Sequence, residues 1–207
     1  MKIVILGGFL GSGKTSLLLQ LAKYLVGKEW DYPSEVKVAI LENEIGQIGI
    51  DDKILLNAGF KVDNLFAGCA CCSLSGELVS SITNIQKTLN PKWLIIEATG
   101  VAYPGSIGKT ILESLGLDAY IITIVDAKRW RRLQNAMETL MSEQLKDSSI
   151  VLMNKVDLVD DIELTQVKES IFPYINNIKI IPISAKEEIP SVFWSNLINE
   201  MEQSYGR

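Results

Sequence analysis

Histidine is absent from this 207-residue chain, and cysteine occurs only three times, all within Cys69-Ala70-Cys71-Cys72. Without imidazole there is no His-rich metal-storage tract and no histidine base to serve a phosphate site. Three cysteines crowded into four positions are badly spaced for disulfides between distant strands and well spaced for thiolates sharing one cation. No apolar run reaches the 18 or more residues of a membrane span; the runs present are strand-sized. A surplus of basic charge is missing too: 20 Lys and Arg face 25 Asp and Glu, for a net charge of −5. That balance argues against nonspecific nucleic-acid binding, which depends on neutralising phosphates. The local exception, Lys128-Arg129-Arg131-Arg132 around Trp130, reads as a partner-facing or solvated helical face. Internal repeats and low-complexity segments are also lacking.

What is present is an ordered globular chain, 47% hydrophobic and 22% charged. Its length suits one substantial core better than two. Met1-Lys2 lead directly into a strand, so a removable leader is not expected, and reduced cysteines favour a cytoplasmic setting.

The apolar strand Ile3-Val4-Ile5-Leu6 runs into Gly8-Phe9-Leu10-Gly11-Ser12-Gly13-Lys14-Thr15, a complete G-x-x-x-x-G-K-[ST] pattern between strand and helix. Glycines let successive backbone N–H groups turn inward around phosphate oxygens, and the following helix N-terminus favours the anion. Gly8, Gly11, Ser12, Gly13, Lys14, Thr15 and Ser16 are therefore the candidate phosphate-binding residues. Lys14 is expected to reach the outer phosphates and Thr15 to place its hydroxyl on Mg²⁺. A second Gly-Lys-Thr at 108-110 has Tyr103 where the first glycine would stand and no strand leading into it, so it reads as surface helix or loop.

Guanine is selected over adenine by Asn154-Lys155-Val156-Asp157, which follows the apolar run Ile150-Val151-Leu152-Met153. A carboxylate at Asp157 can accept the N1 and exocyclic amino hydrogens of guanine, a donor pair that adenine lacks. Asn154 and Lys155 brace the loop and pack against the base. Ser184-Ala185-Lys186, after Ile180-Ile181-Pro182-Ile183, stands where another base-contacting loop is expected. GTP and GDP are the expected ligands.

Cys69, Cys71 and Cys72 form the candidate transition-metal site. Gly68 before them and Ser73-Leu74-Ser75-Gly76-Glu77 after them suggest a turn entering a helix, whose N-terminus lowers thiolate pKa values. Zn²⁺ suits thiolates without geometric preference, and Co²⁺ or Ni²⁺ could follow availability. A structural zinc site normally needs four protein ligands, so a fourth must be a carboxylate, water or a partner's group. An incomplete shell fits transfer or sensing better than permanent storage.

The order of these motifs resembles the CobW-like branch of the metal-chaperone and cobalamin-synthesis P-loop GTPases, relatives of the nickel-insertion GTPases of hydrogenase and urease. Residues 1-186 carry it: the phosphate loop, Glu42-Asn43-Glu44-Ile45-Gly46 with Gly49-Ile50-Asp51, Gly68-Cys69-Ala70-Cys71-Cys72, Glu97-Ala98-Thr99-Gly100 and Asn154-Lys155-Val156-Asp157. The resemblance implies that Glu97 holds Mg²⁺ through water and that the Gly100 amide senses the terminal phosphate and moves the following loop. With Lys14 and Thr15 they form the candidate catalytic set. Asp51 and Glu44, in what resembles a first switch, are candidates for Mg²⁺, water or metal contact, with solvated loop carboxylates as the other reading. Gln144 resembles a recurrent position near the nucleotide and equally fits a solvent-facing helical residue.

A slow GTPase serving as a metallochaperone or metallocofactor-assembly switch is the leading implication. Gating of a corrinoid enzyme's assembly or repair, and a nucleotide-responsive adaptor without turnover, are the alternatives. Implied partners are a metalloenzyme or corrinoid-protein client, a separate delivery subunit, and a second copy in a nucleotide-dependent homodimer; neither nucleic acid nor membrane is among them. The chain reads as a single P-loop domain, 1-207, without the smaller C-terminal domain usual in the family. Val101-Ala102-Tyr103-Pro104 also departs from the acidic residue commonly found before proline there.

Strand-sized apolar runs near 2-6, 36-41, 62-65, 93-97, 119-125, 149-153 and 178-182 alternate with helical patterns near 14-26, 75-89, 106-115, 128-141, 162-171 and 190-203. That alternation predicts an α/β three-layer sandwich: a mostly parallel sheet with helices on both faces and binding loops at the strand C-terminal edge.

Overall fold

Near-continuous apolar strands such as Ile3-Val4-Ile5-Leu6 and Trp93-Leu94-Ile95-Ile96 belong in a sheet covered on both faces. A computed structural model shows that sheet and describes residues 1–28, 38–42, 61–64, 74–176 and 178–205. Its strands are β1 (Lys2–Gly7), β2 (Val38–Glu42), β3 (Lys61–Asn64), β4 (Trp93–Glu97), β5 (Ala119–Asp126), β6 (Ile150–Asn154) and β7 (Ile180–Pro182). They lie in the order β3-β2-β4-β1-β5-β6-β7. Every pairing among them is parallel, so the sheet is more uniform than the mostly parallel one the sequence suggested. β1 lies at the centre, with Ile3 paired to Leu94 on one side and Ala119 on the other.

The helices are α1 (Lys14–Lys28), α2 (Leu74–Thr88), α3 (Pro104–Leu115), α4 (Trp130–Leu145), α5 (Asp161–Ile171) and α6 (Ser191–Ser204). Because strand side chains alternate, Val4, Leu6, Ile122 and Ile124 meet one layer while Ile3, Ile5 and Ile121 meet the other. On the first face Leu17, Leu18 and Leu21 of α1 join Trp194, Leu197 and Ile198 of α6. On the second, α2 and α3 contribute Ile82, Ile85 and Ile111, and α4 and α5 contribute Trp130, Leu145, Val167 and Ile171. Each fully buried aliphatic side chain of this kind is worth roughly 1.5–3 kcal/mol relative to exposure.

Most element boundaries agree with the sequence pattern to within a few residues, and the differences have local causes. α3 starts at Pro104, whose fixed φ and missing N–H suit the first helical position. α4 runs on to Leu145 because Met141, Gln144 and Leu145 continue its inward stripe beyond a break at Met137, where φ is −145° and ψ 42°. α5 is capped by Asp160, whose carboxylate accepts from the Glu163 amide at 2.7 Å. The second Gly-Lys-Thr lies inside α3, where Gly108 packs toward Ile121, so it is helix and not a phosphate loop. Among the described residues no helix is long and apolar enough to cross a membrane.

Candidate nucleotide site

A parallel sheet delivers the ends of all its strands to one edge, and the predicted loops meet there. The phosphate loop leaves β1 at Gly7 and enters α1 at Lys14. Two of its glycines are required by space as well as by backbone. Gly8 has φ +130°, and a Cβ there would lie 2.2 Å from the Ile124 carbonyl oxygen. Gly13 has φ +101°, and its Cβ would lie 2.2 Å from Asn154 Nδ2. Ser12 N–H donates to Phe9 O at 3.1 Å, tightening the turn, and Leu17 N–H donates to Gly13 O at 3.1 Å as α1 begins. Lys14 is buried, with Nζ 3.3 Å from Phe9 O. Thr15 and Ser16 sit exposed on the first turn of α1.

At the end of β4, Glu97 is 3% exposed and its Oε1 accepts from Thr15 Oγ1 at 2.9 Å. A threonine hydroxyl beside a buried carboxylate is a hard-oxygen donor set that fits Mg²⁺. Gly100, in the next loop, approaches the phosphate loop so closely that a Cβ would lie 2.6 Å from Leu10 N. β2 ends at Glu42, paired in register with Glu97, so it delivers the chain to this same edge.

Gln144 is buried, which excludes the solvent-facing reading. Its Nε2 donates to Gly100 O at 3.0 Å and to Ala102 O at 3.2 Å, holding the loop after β4. Beyond it Val101 and Tyr103 are exposed.

The side that the sequence marks for the base is tied more densely. Asn154, 2% exposed at the end of β6, donates from Nδ2 to Ser12 O at 2.8 Å and accepts from Ala185 N–H on Oδ1 at 2.8 Å. One side chain thus joins the phosphate loop to both loops that the sequence marks as candidates for base contact. Ser184 Oγ donates to Asp157 Oδ1 at 2.6 Å. Lys155 takes a left-handed conformation, φ 65°, and its ammonium lies 2.7 Å from Asp126 Oδ2. Lys186 lies next along the chain, after Ala185.

Two contributors escaped the sequence reading. Gln20 of α1 donates from Nε2 to Glu187 O at 3.0 Å and Ala185 O at 3.3 Å, and accepts from Ile189 N–H at 2.8 Å, gripping the loop after β7. Nothing in the sequence distinguishes it from any other polar residue on a helix. Asp126 ends β5 and is 2% exposed. Its Oδ2 receives Arg129 Nε at 2.7 Å as well as Lys155, and its Oδ1 receives the Arg129 amide at 3.1 Å. Burial pushes the Asp126 carboxyl up, but the hydrogen bonds from Lys155 and Arg129 outweigh that and hold it below the usual carboxylate range. A carboxylate closing an apolar strand is the same signal that marked Glu97, and it could have found Asp126.

The basic cluster is corrected in part. Arg129 turns inward, with Nη2 donating to Leu10 O of the phosphate loop at 2.7 Å. Lys128 pairs with Glu163 at 3.8 Å, and Arg131 bonds Gln166. Lys128, Arg131 and Arg132 nevertheless stay exposed, as a solvated helical face.

Glu44, Asp51, Cys69, Cys71 and Cys72 lie outside the described residues. Among the described residues no group of three or more metal-ligating side chains occurs. α2 starts at Leu74, two positions after Cys72, as expected for a helix following the cysteines.

Known proteins resemble this chain in sequence and in fold. Zinc chaperone YjiA of Escherichia coli (strain K12) is 30% identical over 172 residues, which cover 78% of this chain and 51% of that protein. Zinc-regulated GTPase metalloprotein activator 1 of Dictyostelium discoideum is 27% identical over 218 residues, covering 85% of this chain and 44% of that protein. The chain therefore spans about half the length of these curated relatives. The crystal structure of hydrogenase maturation factor HypB from Archaeoglobus fulgidus superposes with a TM-score of 0.70 at 18% identity, over 96% of this chain and 89% of that one, a likeness of fold. Residues 2–181 match the family described as CobW/HypB/UreG, nucleotide-binding domain. A match that runs from β1 into β7 takes in the whole sheet, and the chain belongs to the CobW/HypB/UreG nucleotide-binding domain family.

Proposed function

We propose that this chain is a GTP-hydrolysing switch that couples its nucleotide state to a metal cargo on Cys69, Cys71 and Cys72, in the service of a metalloenzyme client. The observation that carries the nucleotide half is the 2.9 Å contact between Thr15 Oγ1 and the buried Glu97 carboxylate, beside the phosphate loop and opposite Asn154. Thr15 and Glu97 would hold Mg²⁺, Glu97 through water, and the ion would supply neutralising charge at the outer phosphates. Lys14 binds the same oxygens, Lys155 packs along the base, and Asp157 accepts the guanine N1 and amino hydrogens. Ser184 prepares Asp157 for that role by fixing one carboxylate oxygen. Ala185 and Lys186 complete the base loop.

The Gly100 amide reports the terminal phosphate. Its loop leans on Leu10, so displacement there requires breaking the two Gln144 hydrogen bonds. Intrinsic hydrolysis is slow because the chain has no histidine and Arg129 is committed to Asp126 and Leu10 O. A client, a second subunit or bound metal accelerates it.

The metal half draws on the three clustered thiolates and on the relatives, which are named as a zinc chaperone and a zinc-regulated GTPase metalloprotein activator. The cysteines lie in sequence between β2, which ends in register with Glu97, and β4, which ends in Glu97 itself. Nucleotide and metal would then alter each other's affinity by the same factor. Calorimetric titration of Zn²⁺ and Co²⁺ into reduced protein loaded with GDP or a nonhydrolysable GTP analogue tests this, with serine at all three cysteine positions as control. Cysteine-dependent binding that changes with the nucleotide supports the coupled switch; binding that ignores the nucleotide, or survives in the serine variant, overturns it.

A further inference from the structure

Arg129 has a place in the site that no motif assigns. In a trans peptide the carbonyl oxygen and the following amide hydrogen point in opposite directions. The side chain that grips a carbonyl of the phosphate loop from outside therefore decides where the next amide points. Two carbonyls of the loop are gripped in this way. Ser12 O is held by Asn154 Nδ2 at 2.8 Å, and Leu10 O by Arg129 Nη2 at 2.7 Å. The amides that follow belong to Gly13 and Gly11, both with positive φ, +101° and +72°. A Cβ on Gly11 would lie 3.1 Å from Arg129 Nη2, so the guanidinium is close against the outer side of that residue.

Arg129 is itself fixed. Asp126, buried at the end of β5, accepts from its Nε at 2.7 Å and from its main-chain amide at 3.1 Å. The same Asp126 oxygen lies 2.7 Å from Lys155 Nζ in the guanine loop. Ala127 N–H donates to Asn154 O at 2.9 Å, so the β5 end and the guanine loop are also joined through the backbone.

We propose that Arg129 is a positioning residue for nucleotide phosphate: by holding the Leu10 carbonyl outward it aims the Gly11 amide into the phosphate cradle, and Asp126 ties that action to Lys155 beside the base. The arginine acts through the loop and does not touch the nucleotide. This role presupposes a guanine nucleotide in the site, as proposed above.

The test is the gain in affinity from the second phosphate, measured as the ratio of GMP to GDP dissociation constants for wild type, Arg129→Ala, Asp126→Asn and the double variant, with urea midpoints alongside. Loss of one charge-assisted hydrogen bond predicts that Arg129→Ala lowers the ratio roughly tenfold, with GMP binding changed less than about twofold. The double variant is expected to be no worse than the product of the single effects would allow, and measurably better, because both act through one contact chain. A helix-anchoring role alone would lower the urea midpoint and leave the ratio at its wild-type value; that result overturns the proposal. Equal loss of GMP and GDP binding overturns it as well, since it signals collapse of the whole site. Wild type binding neither nucleotide would sink the guanine-nucleotide reading and this role together, an outcome recognisable before any variant is made.

Discussion

The two halves of the site are built differently. On the base side, Asn154 joins Ser12 to Ala185, Gln20 grips residues 185, 187 and 189, and Ser184 fixes Asp157. On the side proposed for Mg²⁺, among the described residues, Thr15 meets Glu97, and the loop after β4 has backbone bonds from Ala98 to Leu6 and from Ala102 to Thr99, with side-chain bonds from the Gln144 amide group. The side proposed to hold the base is thus cross-linked by three side chains, whereas the loop proposed to report the third phosphate takes two side-chain hydrogen bonds from one nitrogen. Low local stability is the property a moving loop needs, and dense cross-linking is the property a selective pocket needs.

The largest effect that could break this contrast is Asn154→Ala. It leaves Ser12 O and Ala185 N–H without their buried partner, and a loss of about 2–4 kcal/mol is expected in urea unfolding, together with loss of GDP binding. Glu97→Gln comes next. It keeps the fold and magnesium-free GDP binding but lowers magnesium-dependent GTP turnover roughly a hundredfold, measured under single-turnover conditions. Gln144→Ala should cost about 1–2 kcal/mol, and faster amide exchange confined to residues 99–102 would mark the loop as the mobile half. If exchange rises equally around 184–189, the two halves are not separate.

Gln20→Ala is smaller still: roughly threefold to tenfold weaker GDP binding is expected by calorimetry, without a change in magnesium dependence. The smallest effect concerns acid. The folded Asp126 carboxyl lies below its unfolded value, so its stabilisation is present above about pH 4 and fades as pH falls through the folded value. Asp126→Asn should therefore flatten the decline of the urea midpoint between pH 4 and pH 2 relative to wild type.

The sequence made one part of this site readable because of where a parallel sheet puts its strand ends. Lys14 and Thr15 are marked by the glycine pattern after β1, while Glu97 and Asn154 close apolar runs and Asp157 and Ser184 follow them closely; a polar residue closing such a run in an α/β chain lands at the binding edge. Asp126 satisfies the same rule and was missed only because no motif accompanies it. Arg129 and Gln20 were not readable. Their roles depend on carbonyls 119 and 165 or more positions away, at Leu10 and at residues 185 and 187, and local pattern carries no record of such contacts. Gln144 is an intermediate case: its place on α4 was visible, but a polar residue on an inward stripe looks like an error in the pattern until its acceptors at 100 and 102 are known. The break at Met137 had no sequence signal either, since neither glycine nor proline marks it.

The central position of β1 bears on how the protein is made. β1 has its hydrogen-bonding neighbours at residues 93–97 and 119–123, so it stays unpaired until those later segments are made. Contacts so distant in sequence are slow to form, and an unpaired apolar strand is exposed to association meanwhile. The clamp on Leu10 awaits residue 129, and the one on Ser12 awaits residue 154. A nascent chain that stops short of residue 154 carries the phosphate-loop sequence without both of these carbonyl clamps.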